Sequence, residues 1–212
     1  MRSIATITTP PAETDLTTID RVKSELSITD VDTARDNLLG VKIAEASADI
    51  EAHSGRIFSR AGLTERFWGD PGVSEYLCLE RYPVATITSV TVDGVLVAAS
   101  EYRLDAETGI LYRLDANGYP CIWSWCKDVV IVYAAGYIVP GETNRDLPYP
   151  VEGAVIDLVS SFWASRGRDP KVKSEDIPGL GSVEYWVGAV GAAGSLPPDV
   201  EAKCMTFRRV LV

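Results

Sequence analysis

The 212-residue sequence holds one histidine, four cysteines, two methionines and four phenylalanines. Nowhere does an apolar run approach the ~20 residues that a membrane span needs. Each scarcity removes a class of function. His53 would have to serve alone in any Ser-His-Asp or Cys-His arrangement. It stands in Glu51-Ala-His-Ser-Gly-Arg56, at the end of a polar helix face, where a surface or capping imidazole is the ordinary reading. The cysteines (Cys78, Cys121, Cys126, Cys204) are too sparse for a disulfide scaffold and are expected as free thiols. Cys121 and Cys126 are spaced C-x4-C, but a zinc site would need further ligands. Met1–Pro11 lacks the apolar core of a signal peptide, so no membrane partner is expected. Basic residues are outnumbered, 20 against 30 acidic, for a net charge of −10. Such a chain is poorly made for gripping nucleic acid, whose affinity comes mainly from Lys and Arg neutralising phosphates. Its charge serves solubility, and would suit a passage that DNA must traverse without sticking.

Phosphate and acid–base chemistry are missing too. Gly188-x-x-Gly191-x-x-Gly194 follows a possible strand, yet it has no Lys-Ser/Thr pair and runs into Pro197-Pro198 rather than a helix start. Glu45 and Asp49 lie one helical turn apart on a polar helix face, where solvation explains them. No catalytic residue, cofactor site or metal site is therefore expected, and the chain is read as a non-enzyme.

What is there is a clear order of periodicities. The first sixteen residues, rich in Thr and Pro, read as an extended arm. A first helix is predicted from Thr17, with the stripe Ile19, Val22, Leu26. A second follows Asp32 as N-cap and runs to about Ser54 before Gly55. In it Leu39, Ile43, Ala46 and Ile50 fall at i, i+4, i+7 and i+11, on one face. Then the period becomes two. Strands are predicted at Glu65–Trp68, Tyr76–Leu79, Thr86–Val92, Val95–Val97, Tyr102–Leu104, Ile110–Leu114 and Val129–Ala134. Asp93-Gly94 and Asn117-Gly118 mark turns. Trp123 and Trp125 alternate, as a strand covering one sheet surface would require.

Helical spacing returns after Pro148 and Pro150, with Val151, Val155, Leu158 and Phe162 as the stripe. A last helix starts near Pro198, its stripe being Val200, Cys204, Phe207 and Leu211. The predicted fold class is α+β: a small antiparallel-type bundle of about four helices with a β-rich domain inserted between helices two and three. The domain boundaries drawn are 1–62 for arm and first two helices, 63–140 for the β insertion, and 141–212 for the last two helices. The long segment 167–197 interrupts the last part and holds a possible strand at Ser182–Val187.

Candidate partner contacts concentrate there. Arg166, Arg168, Lys171 and Lys173 form a basic run in an acidic chain, suited to the helix end or to an acidic partner surface. Ile177, Leu180, Val183, Tyr185 and Trp186 are apolar residues in a Gly-rich setting that cannot build its own core. Arg208 and Arg209 lie near the end of the sequence.

Taken in order, these pieces resemble the head-tail connector (adaptor, head-completion) family of tailed phages and gene transfer agents, from about Leu16 to Leu211. The carriers are Leu16-Thr-Thr-Ile-Asp-Arg-Val-Lys-Ser-Glu-Leu26, Ile43-Ala-Glu-Ala-Ser-Ala-Asp-Ile-Glu51 and Gly55-Arg56-Ile-Phe58. They continue with Leu77-Cys-Leu-Glu-Arg-Tyr-Pro83, Ile87-Thr-Ser-Val-Thr-Val-Asp-Gly94, Tyr102-Arg-Leu-Asp105 and Gly109-Ile-Leu-Tyr-Arg113. Val130-Ile-Val-Tyr-Ala-Ala-Gly-Tyr137, Leu147-Pro148 and Lys173-Ser-Glu-Asp-Ile-Pro-Gly179 complete the set. The resemblance implies a virion protein of the particle neck, assembled in the bacterial host cytoplasm. It would form a homo-oligomeric ring, typically a dodecamer, between the portal protein and a tail-side connector, stopper or tail-terminator protein. DNA would pass its lumen without specific binding. The other reading is an accessory module whose β-domain binds a small molecule or glycan through Trp68, Trp123 and Trp125.

Overall fold

The computed structural model describes residues 2–68, 74–123, 128–166, 174–177, 181–184 and 196–209. The chain divides into two compact units, one of 1–13 with 57–138 and the other of 14–56 with 139–212.

The first unit is built of antiparallel strands. They are β1 (Arg2–Thr9), β2 (Ala61–Trp68), β3 (Tyr76–Cys78), β4 (Val84–Val92), β5 (Val95–Leu96), β6 (Tyr102–Asp105), β7 (Ile110–Leu114), β8 (Pro120–Cys121) and β9 (Asp128–Ala135). One sheet has the order β1-β2-β9-β4-β5, and the other β3-β7-β6 with β8 on β7. Side chains alternate across a strand, so each strand of a half-solvated sheet gives every second residue to the core. Along β2 the inward set is Ala61, Leu63, Glu65 and Phe67, and along β9 it is Val129, Ile131, Tyr133 and Ala135. Leu77, Leu79, Leu111 and Trp123 join them, so both sheets share one core.

Turns follow their residues. Asp93 and Gly94 both have positive φ, 48° and 79°, which a tight hairpin between β4 and β5 demands. At Asn117-Gly118 the Asp115 carboxylate accepts from the backbone N–H groups of Asn117 (2.8 Å) and Tyr119 (2.9 Å). The expected extended arm is a full strand: Arg2–Thr9 pairs along β2 from Arg2↔Trp68 onward. Trp123 is not in a strand. It is buried, and its indole N–H donates to the Leu111 carbonyl at 3.2 Å. Trp125 lies outside the described residues.

The second unit holds α1 (Ile19–Glu25), α2 (Thr33–Ser54), α3 (Tyr149–Ala164), the hairpin β10 (Ser174–Ile177) and β11 (Gly181–Glu184), and α4 (Pro198–Met205). Thr18, one residue after the predicted cap, closes the start of α1 by accepting from Arg21 N–H. Asp32 caps α2 through the N–H groups of Ala34 and Arg35, and Gly55 ends it in the left-handed conformation. Helix α3 packs on α1, α2 and α4. Leu39, Ile43, Ala46 and Ile50 of α2 and Val151, Val155 and Leu158 of α3 are buried, as their spacing requires. Phe162 is only half-buried. Helix α4 buries Val200 and Cys204, then stops at Met205, so Phe207 lies beyond it in a turn, half-buried. Leu211 lies outside the described residues.

Polar contacts fasten this unit. Buried Glu152 binds the Arg145 guanidinium at 2.9 Å and accepts from the Thr17 hydroxyl at 3.3 Å. Lys203 pairs with Asp157, and Arg209 N–H donates to the Ser54 carbonyl at 2.8 Å.

Candidate functional site

Among the described residues no group of three or more His, Cys, Asp or Glu side chains could hold a metal ion. His53 Nε2 stands 3.8 Å from the Glu201 carboxylate. Among the described residues no disulfide joins Cys78, Cys121 and Cys204, and Cys126 lies outside the described residues.

One titratable pair is deeply placed. Glu65 is fully buried in the first unit, where Oε2 accepts from the Tyr133 hydroxyl (2.7 Å) and the Glu80 N–H (2.9 Å). Burial pushes its carboxyl above the ordinary range, against these hydrogen bonds. Burial also raises the Tyr133 phenol, with the nearby Glu65 charge adding to it. The pair ties β2 and β9 to the turn after β3, a structural knot inside the sandwich.

Two surfaces have the shape of contact sites. The first is an open groove of about 710 Å³ on the outer face of β1, β2 and β9. Ile4, Thr6, Thr64, Arg66, Trp68, Asp128 and Val130 line it. The register places Ile4 beside Arg66 and Arg66 beside Val130, so strand alternation alone puts them on one face. Arg66 reaches Asp128 with two hydrogen bonds, 2.6 and 2.9 Å, leaving the groove nearly neutral.

The second is a cleft of about 130 Å³ in the other unit, lined by Leu38, Leu39 and Lys42 of α2 and Val159, Phe162, Trp163 and Arg166 on the α3 side. Two cations cover its aromatic rings: Lys42 lies 5.5 Å from the Phe162 ring centre, and Arg166 4.3 Å from that of Trp163. Lys42 also pairs with Glu45.

Of the contact residues expected from sequence, Arg166 thus sits at the rim of this cleft, exposed, just after α3. Ile177 and Val183 belong to the hairpin, where Ile177 pairs with Gly181 and Val183 with Glu175. The strand expected at Ser182–Val187 is β11, Gly181–Glu184, and its partner is β10 of the same chain. Arg208 is exposed and Arg209 half-buried beyond α4. Arg168, Lys171, Lys173, Leu180, Tyr185 and Trp186 lie outside the described residues. Sequence reading missed the sheet groove and the Lys42, Phe162 and Trp163 side of the cleft. Phe162 carried a signal, since it stands at the outer end of a buried stripe. The groove carried none, because its residues come from three separated strands.

No protein-family model matches the sequence, and no curated protein matches it. Solved structures do match in fold. A chain of the neck of an empty gene-transfer-agent (GTA) particle computed with C6 symmetry is 21% identical, with a TM-score of 0.59. A chain of the virion of a native gene transfer agent particle is 19% identical (TM-score 0.59). One from the neck of a native particle computed with C12 symmetry is 20% identical (TM-score 0.57). In each case the match covers 99% of this chain and 97% of the other. This chain therefore has, end to end, the fold of a chain found in gene-transfer-agent particles.

Proposed function

We propose that this chain is a structural protein of a virion neck: an adaptor subunit that joins a DNA-filled head to its tail and has no catalytic role. The observation that carries this reading is the near-complete mutual coverage, 99% and 97%, with chains of particles whose necks were computed with C6 and C12 symmetry. A shared binding module would match part of such a chain, whereas here both units are matched together. The order of sequence segments from Leu16 to Leu211 supports the same reading independently.

In this reading the four helices form the wall of a homo-oligomeric ring, twelve-fold in keeping with C12. The β unit is a module inserted between α2 and α3. Contacts to the portal protein and to neighbours fall to Arg166, Arg168, Lys171 and Lys173, to Ile177, Leu180, Val183, Tyr185 and Trp186 of the segment 167–197, and to Arg208 and Arg209. DNA passes the lumen without being held, and the tail-side connector binds the opposite face. The site of action is the particle neck. The glycan-binding alternative loses one of its aromatics, because Trp123 is buried with its N–H engaged.

Deleting the gene in the producing strain tests the proposal. Heads without attached tails, with no change in head number, are the expected product. Normally tailed particles carrying DNA would overturn it.

A further inference from the structure

The five-stranded sheet has two edges, and both are unusually open. β1 is hydrogen-bonded on one side only, to β2, so the outer N–H and C=O groups of alternate residues face no strand among the described residues. Proteins that keep such an edge to themselves shorten it, or place Lys or Pro on it. β1 is eight residues long, five of them β-branched, with Arg2 its only charge and no Pro or Gly; a register shift occurs only past Ile7. Ile4 and Ile7, on opposite faces, stay 59% and 48% exposed because the sheet ends beside them.

At the other edge β5 pairs with β4 only at Thr91 and Val92, extended by Val97 N–H to the Val90 carbonyl. The outer side of 85–89 therefore has no strand beside it among the described residues. Its side chains, Ala85, Thr86, Ile87, Thr88 and Ser89, carry no charge. Polarity matters next. β1 is antiparallel to β2, β2 to β9, and β9 to β4, so β4 runs opposite to β1.

We propose that β1 of one copy adds, antiparallel, to the open length of β4 in a second copy of this chain, making the two sheets continuous. This repeats the geometry of every pair already in the sheet. It also sets Thr and Ile against Thr and Ser, with no like charges opposed. In a chain of net charge −10, two edges free of acidic residues, with Arg2 their one charge, are the strips where copies approach with least repulsion. Two register shifts in β4, at Val84/Thr86 and Ile87/Ser89, bend the receiving edge, so the added strand follows a curve. The contact is head-to-tail: each copy keeps one β1 and one β4 edge free, so it propagates and closes where the rotation permits. The proposal rests on the ring-subunit reading given above.

Hydrogen exchange on the full chain, free and in assembled rings or particles, is the test. Protection of alternate amides within 2–7, together with amides of 85–89, should rise at least tenfold on assembly. A double variant, Ile4→Glu with Thr6→Lys, provides a second readout. Glu at position 4 faces Arg66 and Lys at position 6 faces Thr64, so the free fold is kept while the edge is charged. Its ring yield should fall at least tenfold, with the free chain's melting temperature unchanged. Rings whose 2–7 and 85–89 amides exchange as in the free chain would overturn the edge contact and leave the neck reading standing. Wild-type chain that never assembles, even with its portal present, would overturn both.

Discussion

Glu65 shows how much of a buried site depends on a partner far away in sequence. Its inward position follows from alternation along β2, and the strand itself is legible from Glu65–Trp68. Its partner Tyr133 stands 68 positions on, and no local pattern pairs the two. The consequence is a pH dependence with a definite sign. A carboxyl whose folded pKa is raised contributes stability that is fully present below its unfolded value, near 4.5, and lost as pH rises through the folded one. Glu65→Gln removes that titration. The variant should match the wild type near pH 4 and melt progressively higher above it as pH climbs to 8; parallel curves in calorimetry would contradict the assignment. Glu152 is the opposite case, a buried carboxylate with a cation beside it. Arg145→Met strands that charge and should cost about 2–4 kcal/mol in urea unfolding, slightly under the usual buried-pair penalty because Arg145 keeps some solvent. Adding Glu152→Gln should recover most of the loss. Neither pairing could be read from sequence, since Arg145 and Glu152 were not on any predicted stripe together.

Helices and strands were far more legible than their contacts. Asp32 and Gly55 bracket α2 where capping chemistry puts them, and Asp93-Gly94 makes its hairpin. The exceptions among strands are the short β8 and β10, and above all β1. Thr-rich, Pro-terminated sequence looks like an arm, and only pairing with β2 turns it into a sheet edge. Helix α4 ends early, at Met205, because its stripe continues into a turn that tethers Arg209 to the end of α2. Two substitutions probe the element scale. Leu158→Ala, in the buried face of α3, should cost about 2–5 kcal/mol by denaturant unfolding. Gly136 has φ of 102°, and a Cβ there would stand 2.6 Å from the Ser59 carbonyl oxygen, where β9 leaves the sheet. Gly136→Ala should therefore cost about 2 kcal/mol or more, with the melting temperature as readout. A neutral outcome at either position would mean that the surrounding packing yields more than the structure implies.

For the molecule as a whole, composition excluded more than it identified. A charge of −10 weighs against a nucleic-acid grip, and a single histidine against histidine-based catalysis. The proposed neck role rests instead on the order of segments and on the shared fold, because contacts between copies leave no local motif in a single sequence. The acidic balance carries its own prediction: duplex DNA should bind the isolated protein more weakly than micromolar at physiological salt, measured by fluorescence anisotropy. Nanomolar binding would sink the idea of a passive lumen. The central claim, that copies of this chain form the collar between head and tail, is tested most directly by electron cryomicroscopy of the particle neck from its producing strain. The account predicts a ring of twelve copies around the DNA channel, each fitted by both units, with portal on one face and a tail-side protein on the other. A neck reconstructed at side-chain detail with no density for this chain would contradict it.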